Sequence, residues 1–149
     1  MGYYFDLVWH FLSSNSRHGT HSPFVYKLAT DVIYHKGEVS NQGRSEEVLK
    51  LEVALFLISE MSTIQTSNFA IKDLDISKFT VDEILHVINK DKVVILTGVY
   101  KDKQSKNKWS ALKADQNVVV TVDLFHFAVL IVRKEQPKEN FKLRFPYFK

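Results

Sequence analysis

Thr80-Val81-Asp82-Glu83-Ile84-Leu85-His86-Val87-Ile88-Asn89-Lys90-Asp91-Lys92, leading into Val93-Val94-Ile95-Leu96, is the stretch that sets the fold class. Thr80 and Glu83 have the spacing of a capping box, in which the threonine oxygen and the glutamate carboxylate each satisfy an orphan N–H at a helix start. The helix they open carries Ile84, Leu85, Val87 and Ile88, and Asn89-Lys90-Asp91 closes it. Four apolar residues in unbroken succession then read as a central parallel strand covered on both faces. A helix feeding such a strand predicts an α/β layer.

Downstream, residues 103–114 have helical spacing, with Trp109 and Leu112 as the predicted buried positions. Val118 to Val132 is the strongest strand signal. Val118, Val120, Val122 and Leu124 fall on one face, Val119, Thr121 and Asp123 on the other, and no Gly, Pro or Asn marks a turn. Periodicity alone therefore gives one long strand. Phe141-Lys142-Leu143-Arg144-Phe145 alternates like an edge strand that Pro146 ends.

Upstream, Asn68-Phe69-Ala70-Ile71 reads as a short strand. Ser45 caps a helix to about Met61, with Glu46 and Glu47 in the first turn, where the helix dipole favours them. Val48, Leu49, Leu51, Val53, Leu55, Phe56, Leu57 and Ile58 make most of its circumference apolar, which predicts burial on more than one side. Residues 35–44 read as a loop. Ser22 as N-cap and Pro23 at the first position open a helix to about Tyr34. Tyr4, Leu7, Val8 and Phe11 predict a first helix over 3–13 with one apolar face, a reading preferred to a signal peptide because Asp6 and His10 interrupt it.

A chain of 149 residues holds one domain with a proper core. The complete lack of cysteine excludes disulfides, thiol catalysis and thiolate zinc sites. No apolar run is long enough to span a bilayer, so no membrane partner is expected and a cytoplasmic location is the default. The net charge of +3 concentrates around Lys101, Lys103, Lys106, Lys108 and Lys113. Such a cluster reads first as a solvated helix face and only secondarily as a patch for nucleic acid or another polyanion.

Arg17-His18-Gly19-Thr20-His21-Ser22-Pro23-Phe24-Val25-Tyr26 resembles the N-terminal signature of a class I S-adenosylmethionine-dependent methyltransferase-like family of Bacteroidetes. Residues 118–141 resemble its closing hairpin and tail, and residues 93–109 match more loosely. The resemblance implies two antiparallel strands within 118–132, reversing near Leu124 to Phe127. It also implies a reduced Rossmann-like fold: an N-terminal helical pair (1–35) beside an α/β core (45–149). That core would have a small mixed sheet of about four strands, in which the family's fifth, seventh and sixth strands survive.

The middle of the chain departs from that family. Its cofactor site needs a strand leading into a glycine-rich turn, where the backbone approaches the ligand. The glycines here are Gly2, Gly19, Gly37, Gly43 and Gly98, none in a G-x-G arrangement, and Lys72-Asp73-Leu74-Asp75 follows the expected first strand. Where the family tends to carry acidic residues after the fifth strand, Thr97 and Gly98 stand. The expectation is a non-catalytic interaction or regulatory module, with no catalytic, cofactor-binding or metal residues assigned. The alternative is an active methyltransferase whose S-adenosylmethionine site is atypical or shared across a dimer.

The one site candidate in the signature is an anion site formed by Arg17, His18, His21 and Ser22 at a helix N-terminus. The same residues serve equally as a structural lock, and His18-x-x-His21 without a third ligand is poor metal chemistry. His126 is expected to face solvent and His86 to sit at a boundary. Loss of the middle strands should uncover an edge or an apolar face, with helix 45–61 as the natural contact surface. That predicts a homodimer, or secondarily a complex with a complete methyltransferase.

Overall fold

A computed structural model of the chain describes residues 2–15, 22–35, 45–62, 71–132 and 137–146. Among the described residues there are five α-helices: α1 (Tyr3–Ser13), α2 (Pro23–Leu28), α3 (Glu46–Ser62), α4 (Val81–Asp91) and α5 (Lys103–Ala114). The strands are β1 (Lys72–Asp75), β2 (Val93–Thr97), β3 (Val120–Asp123), β4 (Phe127–Ile131) and β5 (Glu139–Lys142). A π-helical turn, Ala29–Ile33, continues α2, and a 3-10 turn, Ile76–Lys78, follows β1.

The strands form one mixed sheet of order β1-β2-β4-β3-β5. β1 is parallel to β2 and β3 to β5, while β4 runs antiparallel to both its neighbours, β2 and β3. The carboxyl ends of β1, β2, β3 and β5 therefore gather at one edge. Alternation along the strands divides the core by face. Val93, Ile95, Val120, Val122, Phe127 and Val129 pack with Leu28, Ile33, Leu49, Val53 and Leu57. Val94, Leu96, Ala128 and Leu130 turn the other way, to Ile84, Ile88, Trp109 and Leu112. The architecture is helix–sheet–helix, with α1 set against the carboxyl edge.

Local signals explain the elements. Thr80 Oγ1 accepts the Glu83 N–H at 3.2 Å and Glu83 Oε2 accepts the Thr80 N–H at 3.0 Å, completing the capping box. Ser22 caps α2 through the Val25 N–H with Pro23 at its start, and Asp102 caps α5 through the Ser105 N–H at 2.7 Å.

Residues 118–132 are a hairpin, not the single strand that periodicity gives. Its reversal is a three-residue turn in which the His126 N–H bonds the Leu124 carbonyl at 2.9 Å, and Phe125 sits at φ 70°. That left-handed conformation is strained for a bulky residue, which is why no ordinary turn residue announces it.

Several expectations need correction. The sheet has five strands rather than about four, because residues 139–142 pair fully with β3. The strand expected at 68–71 falls, but for Ile71, outside the described residues; a strand that its mostly polar composition hid stands at Lys72–Asp75. It holds its place through ladder bonds to β2 and the packing of Leu74 against the α4–α5 side. Val118 belongs to that side too, rather than to the face of Val120 and Val122.

The apolar face of the first helix and the all-round burial predicted for helix 45–61 are also placed differently. On α1, Tyr4, Val8 and Phe11 are exposed and the buried residue is His10, because that histidine and Asp6 have partners inside. On α3 only the line Leu49, Val53 and Leu57 is buried; Val48, Leu51, Leu55 and Ile58 on the opposite side are exposed.

Candidate functional site

At the carboxyl edge of the sheet, where open α/β sheets commonly bind ligands, two features adjoin. One is a buried polar cluster centred on Asp123, the last residue of β3. The other is a cavity of about 440 Å³ lined by Tyr3, Glu46, Thr97, Gly98, Lys101 and His126, among others.

Asp123 is 3% exposed. Its Oδ1 accepts from His10 Nε2 at 3.1 Å and from the Phe125 N–H at 2.9 Å, and its Oδ2 from the Tyr100 hydroxyl at 2.5 Å and Trp109 Nε1 at 3.3 Å. Burial opposes ionisation, but the hydrogen bond and charge of His10, with the Tyr100 and Phe125 donors, outweigh it and hold the carboxyl below the usual carboxylate range. An ionised carboxylate only accepts, so Nε2 of His10 carries the hydrogen. Burial and the neighbouring carboxylate together push the Tyr100 phenol up. With every acceptor position engaged, the cluster is arranged to hold α1, the β2–α5 loop and the hairpin together.

The cavity wall is aromatic. The Phe125 ring stacks on Tyr100 at 4.6 Å, while Tyr3 and His10 meet it edge-on at 5.2 and 5.4 Å. This stack and the Asp123 bond stabilise the strained φ of Phe125. His126 is half-buried rather than solvent-facing: its Nδ1 lies 3.5 Å from Glu46 Oε2 and its ring meets Phe145 at 4.8 Å. Burial lowers its pKa, with Glu46 opposing, so the neutral imidazole is favoured. Gly98 takes φ 74°, and a Cβ there would stand 3.2 Å from Asp75 Oδ1. Asp75 itself accepts from the N–H and hydroxyl of Ser77, which holds its carboxyl below the ordinary range.

Of the anion-site candidates, Arg17, His18 and His21 lie outside the described residues, and Ser22 is the buried N-cap of α2. The lysines do not form one free cationic face. Lys106 pairs with Asp6 at 2.9 Å, Lys108 donates to the Ile76 and Phe79 carbonyls, and Lys113 lies over the Trp109 ring; Lys101 and Lys103 are exposed. Trp109 is buried, as its spacing predicts, and His86 is exposed rather than at a boundary. Among the described residues no group of three or more His, Asp or Glu side chains is placed to hold a metal, and no helix is long and apolar enough to cross a membrane.

Sequence reasoning missed His10, Tyr100 and Asp123 as a unit. One signal was available: Asp6 and His10 stand four apart on an otherwise apolar helix, so both face one way and need partners there. Tyr100 and Asp123, brought in by the β2–α5 loop and the hairpin, left no local trace. Comparisons with family models, curated proteins and solved structures find no match to this chain.

Proposed function

We propose that this protein is a non-catalytic, methyltransferase-like α/β module that works by contact with another macromolecule. The observation that carries the reading is the pair of apolar helix faces turned to solvent: Tyr4, Phe5, Val8, Trp9 and Leu12 on α1, and Val48, Leu51, Leu55 and Ile58 on α3. Contiguous apolar surface of this kind marks interaction sites. The carboxyl edge supports the same reading. The residues that leave β1 are Ile76-Ser77-Lys78, without the glycine a close backbone–cofactor approach needs, and the buried carboxylate of Asp123 at the end of β3 is fully engaged.

Calorimetric titration with S-adenosylmethionine and S-adenosylhomocysteine tests the non-catalytic half. No heat of binding is expected, and micromolar affinity for either refutes it. The cavity beside His126 and Glu46 favours a second reading, an atypical S-adenosylmethionine enzyme. A neutral histidine beside a carboxylate is general-base equipment, and strained backbone such as Phe125 clusters at ligand sites. Under that reading, His126→Asn weakens the binding seen in the same titration.

A further inference from the structure

We infer that the apolar ridge of α1 docks in the groove between α3 and β1 of a second copy of this chain, an inference that rests on the contact reading above. The ridge is convex. Tyr4, Phe5, Val8, Trp9 and Leu12 fall within about 140° of helix circumference at 100° per residue. They lie opposite Asp6 and His10, which tie the helix to the body through Lys106 and Asp123. Trp9 is 60% and Tyr4 79% exposed.

The groove is the complementary shape. A cavity of about 650 Å³ runs between α3 and β1, with Val48, Leu51, Ala54 and Ile58 on one wall, Ile71 opposite and Ile95 at its floor. Among the described residues no strand pairs with the outer edge of β1, whereas at the other end of the sheet Asn15 bridges Leu143, the residue after β5. An amphipathic helix laid in an apolar groove is a recurrent mode of recognition.

Charge selects the same occupant. Glu47 and Asp73 stand on the groove rim with only Lys50 between them, 3.3 and 2.8 Å away, leaving the rim net negative. The flanks of the ridge are net positive. Lys142 donates to Ser13 and the Arg144 guanidinium lies over the Phe11 ring, while Lys106 is balanced by Asp6. One kind of self-contact, repeated from copy to copy, therefore covers both exposed faces and matches sign to sign, which neither ridge-on-ridge nor groove-on-groove pairing does.

The contact is between unlike surfaces, so it is open to complementation. Light scattering on the wild-type chain is expected to give a mass above one chain. Trp9→Glu spoils the ridge and Leu55→Glu the groove; each should weaken self-association on the order of 100-fold, since a glutamate would be buried unpaired. Both side chains are more than half exposed, so each variant folds. Mixing the two restores one intact ridge and one intact groove, and a one-to-one heterodimer should form. Because the chain has no cysteine, mixing Val8→Cys with Leu51→Cys should give the mixed disulfide over either homodisulfide.

A monomeric wild type, a Trp9→Glu variant that associates like wild type, or a mixture that stays monomeric overturns the inference. None of these touches the calorimetric test of the non-catalytic reading, so the two fail separately.

Discussion

Replacing Asp123 with alanine tests whether the buried carboxylate is what joins α1 to the sheet. Four donors meet it: His10, Tyr100, Trp109 and the Phe125 N–H. Hydrogen bonds to a charged group contribute about 1.5–3 kcal/mol each, and taking the carboxylate from water costs several kcal/mol, so the net loss expected from breaking the cluster is about 3–5 kcal/mol. For a chain of this size that is a fall in Tm of roughly 10 °C or more. Urea denaturation followed by circular dichroism reads it as a lowered midpoint. Limited proteolysis should release α1 first, because His10 loses the carboxylate that ties it to β3. The control is Asp73→Ala, whose carboxylate is 47% exposed beside Lys50 and should cost under about 1 kcal/mol. Since the folded-state pKa of Asp123 is depressed, its contribution is present above the unfolded value of about 3.9 and is lost as pH falls through the lower folded value. If Asp123→Ala costs no more than the control, the account of α1 docking fails.

His126 gives a second pH window. Its folded pKa lies below the ordinary 6.5, so as pH falls through 6.5 the unfolded chain takes up a proton the folded chain refuses. Stability should decline there by no more than about 1.4 kcal/mol per pH unit, and His126→Asn should flatten that part of the profile in thermal melts; an unchanged profile refutes the assignment. Gly98→Ala should cost about 1–2 kcal/mol, because an L side chain is disfavoured at φ 74° and the new methyl meets a carboxylate already held by Ser77. A neutral result in urea titration would mean that the loop relaxes freely.

What was legible in the sequence was what local chemistry decides. The Thr80–Glu83 box, the Ser22-Pro23 start and the unbroken Val93–Leu96 run each specify an element through neighbours in the chain, and each is found where that chemistry puts it. What was not legible depended on distant partners. Lys72–Asp75 has almost no apolar pattern and is a strand because β2 offers a ladder. The Phe125 reversal contains no turn residue, because a side chain two positions back and a ring from another loop hold it in a strained conformation. The candidate site suffered most: His10, Tyr100 and Asp123 come from three separate segments, and only the Asp6–His10 spacing hinted at inward polarity.

The burial errors carry more information than the element errors, because they share one location. Apolar periodicity predicts which face a helix buries on the premise that water is the only alternative neighbour. That premise holds for α4 and α5, whose periodic residues Ile84, Ile88, Trp109 and Leu112 are buried. It fails on α1, where Asp6 and His10 turn inward, and on the far side of α3, where Leu51 is 61% and Leu55 58% exposed. A strand or loop could have been hidden by weak local signals, but these two helices have strong ones that point to solvent. At about 25 cal/mol per Å² of apolar area, a face of five large side chains left in water forgoes several kcal/mol, comparable to the stability of a whole domain. Sequence patterning and single-chain burial disagree at these two faces and agree at α4 and α5. The surplus apolar pattern on α1 and α3 is therefore what the proposed self-contact accounts for, and a monomeric chain in light scattering would leave it without an explanation.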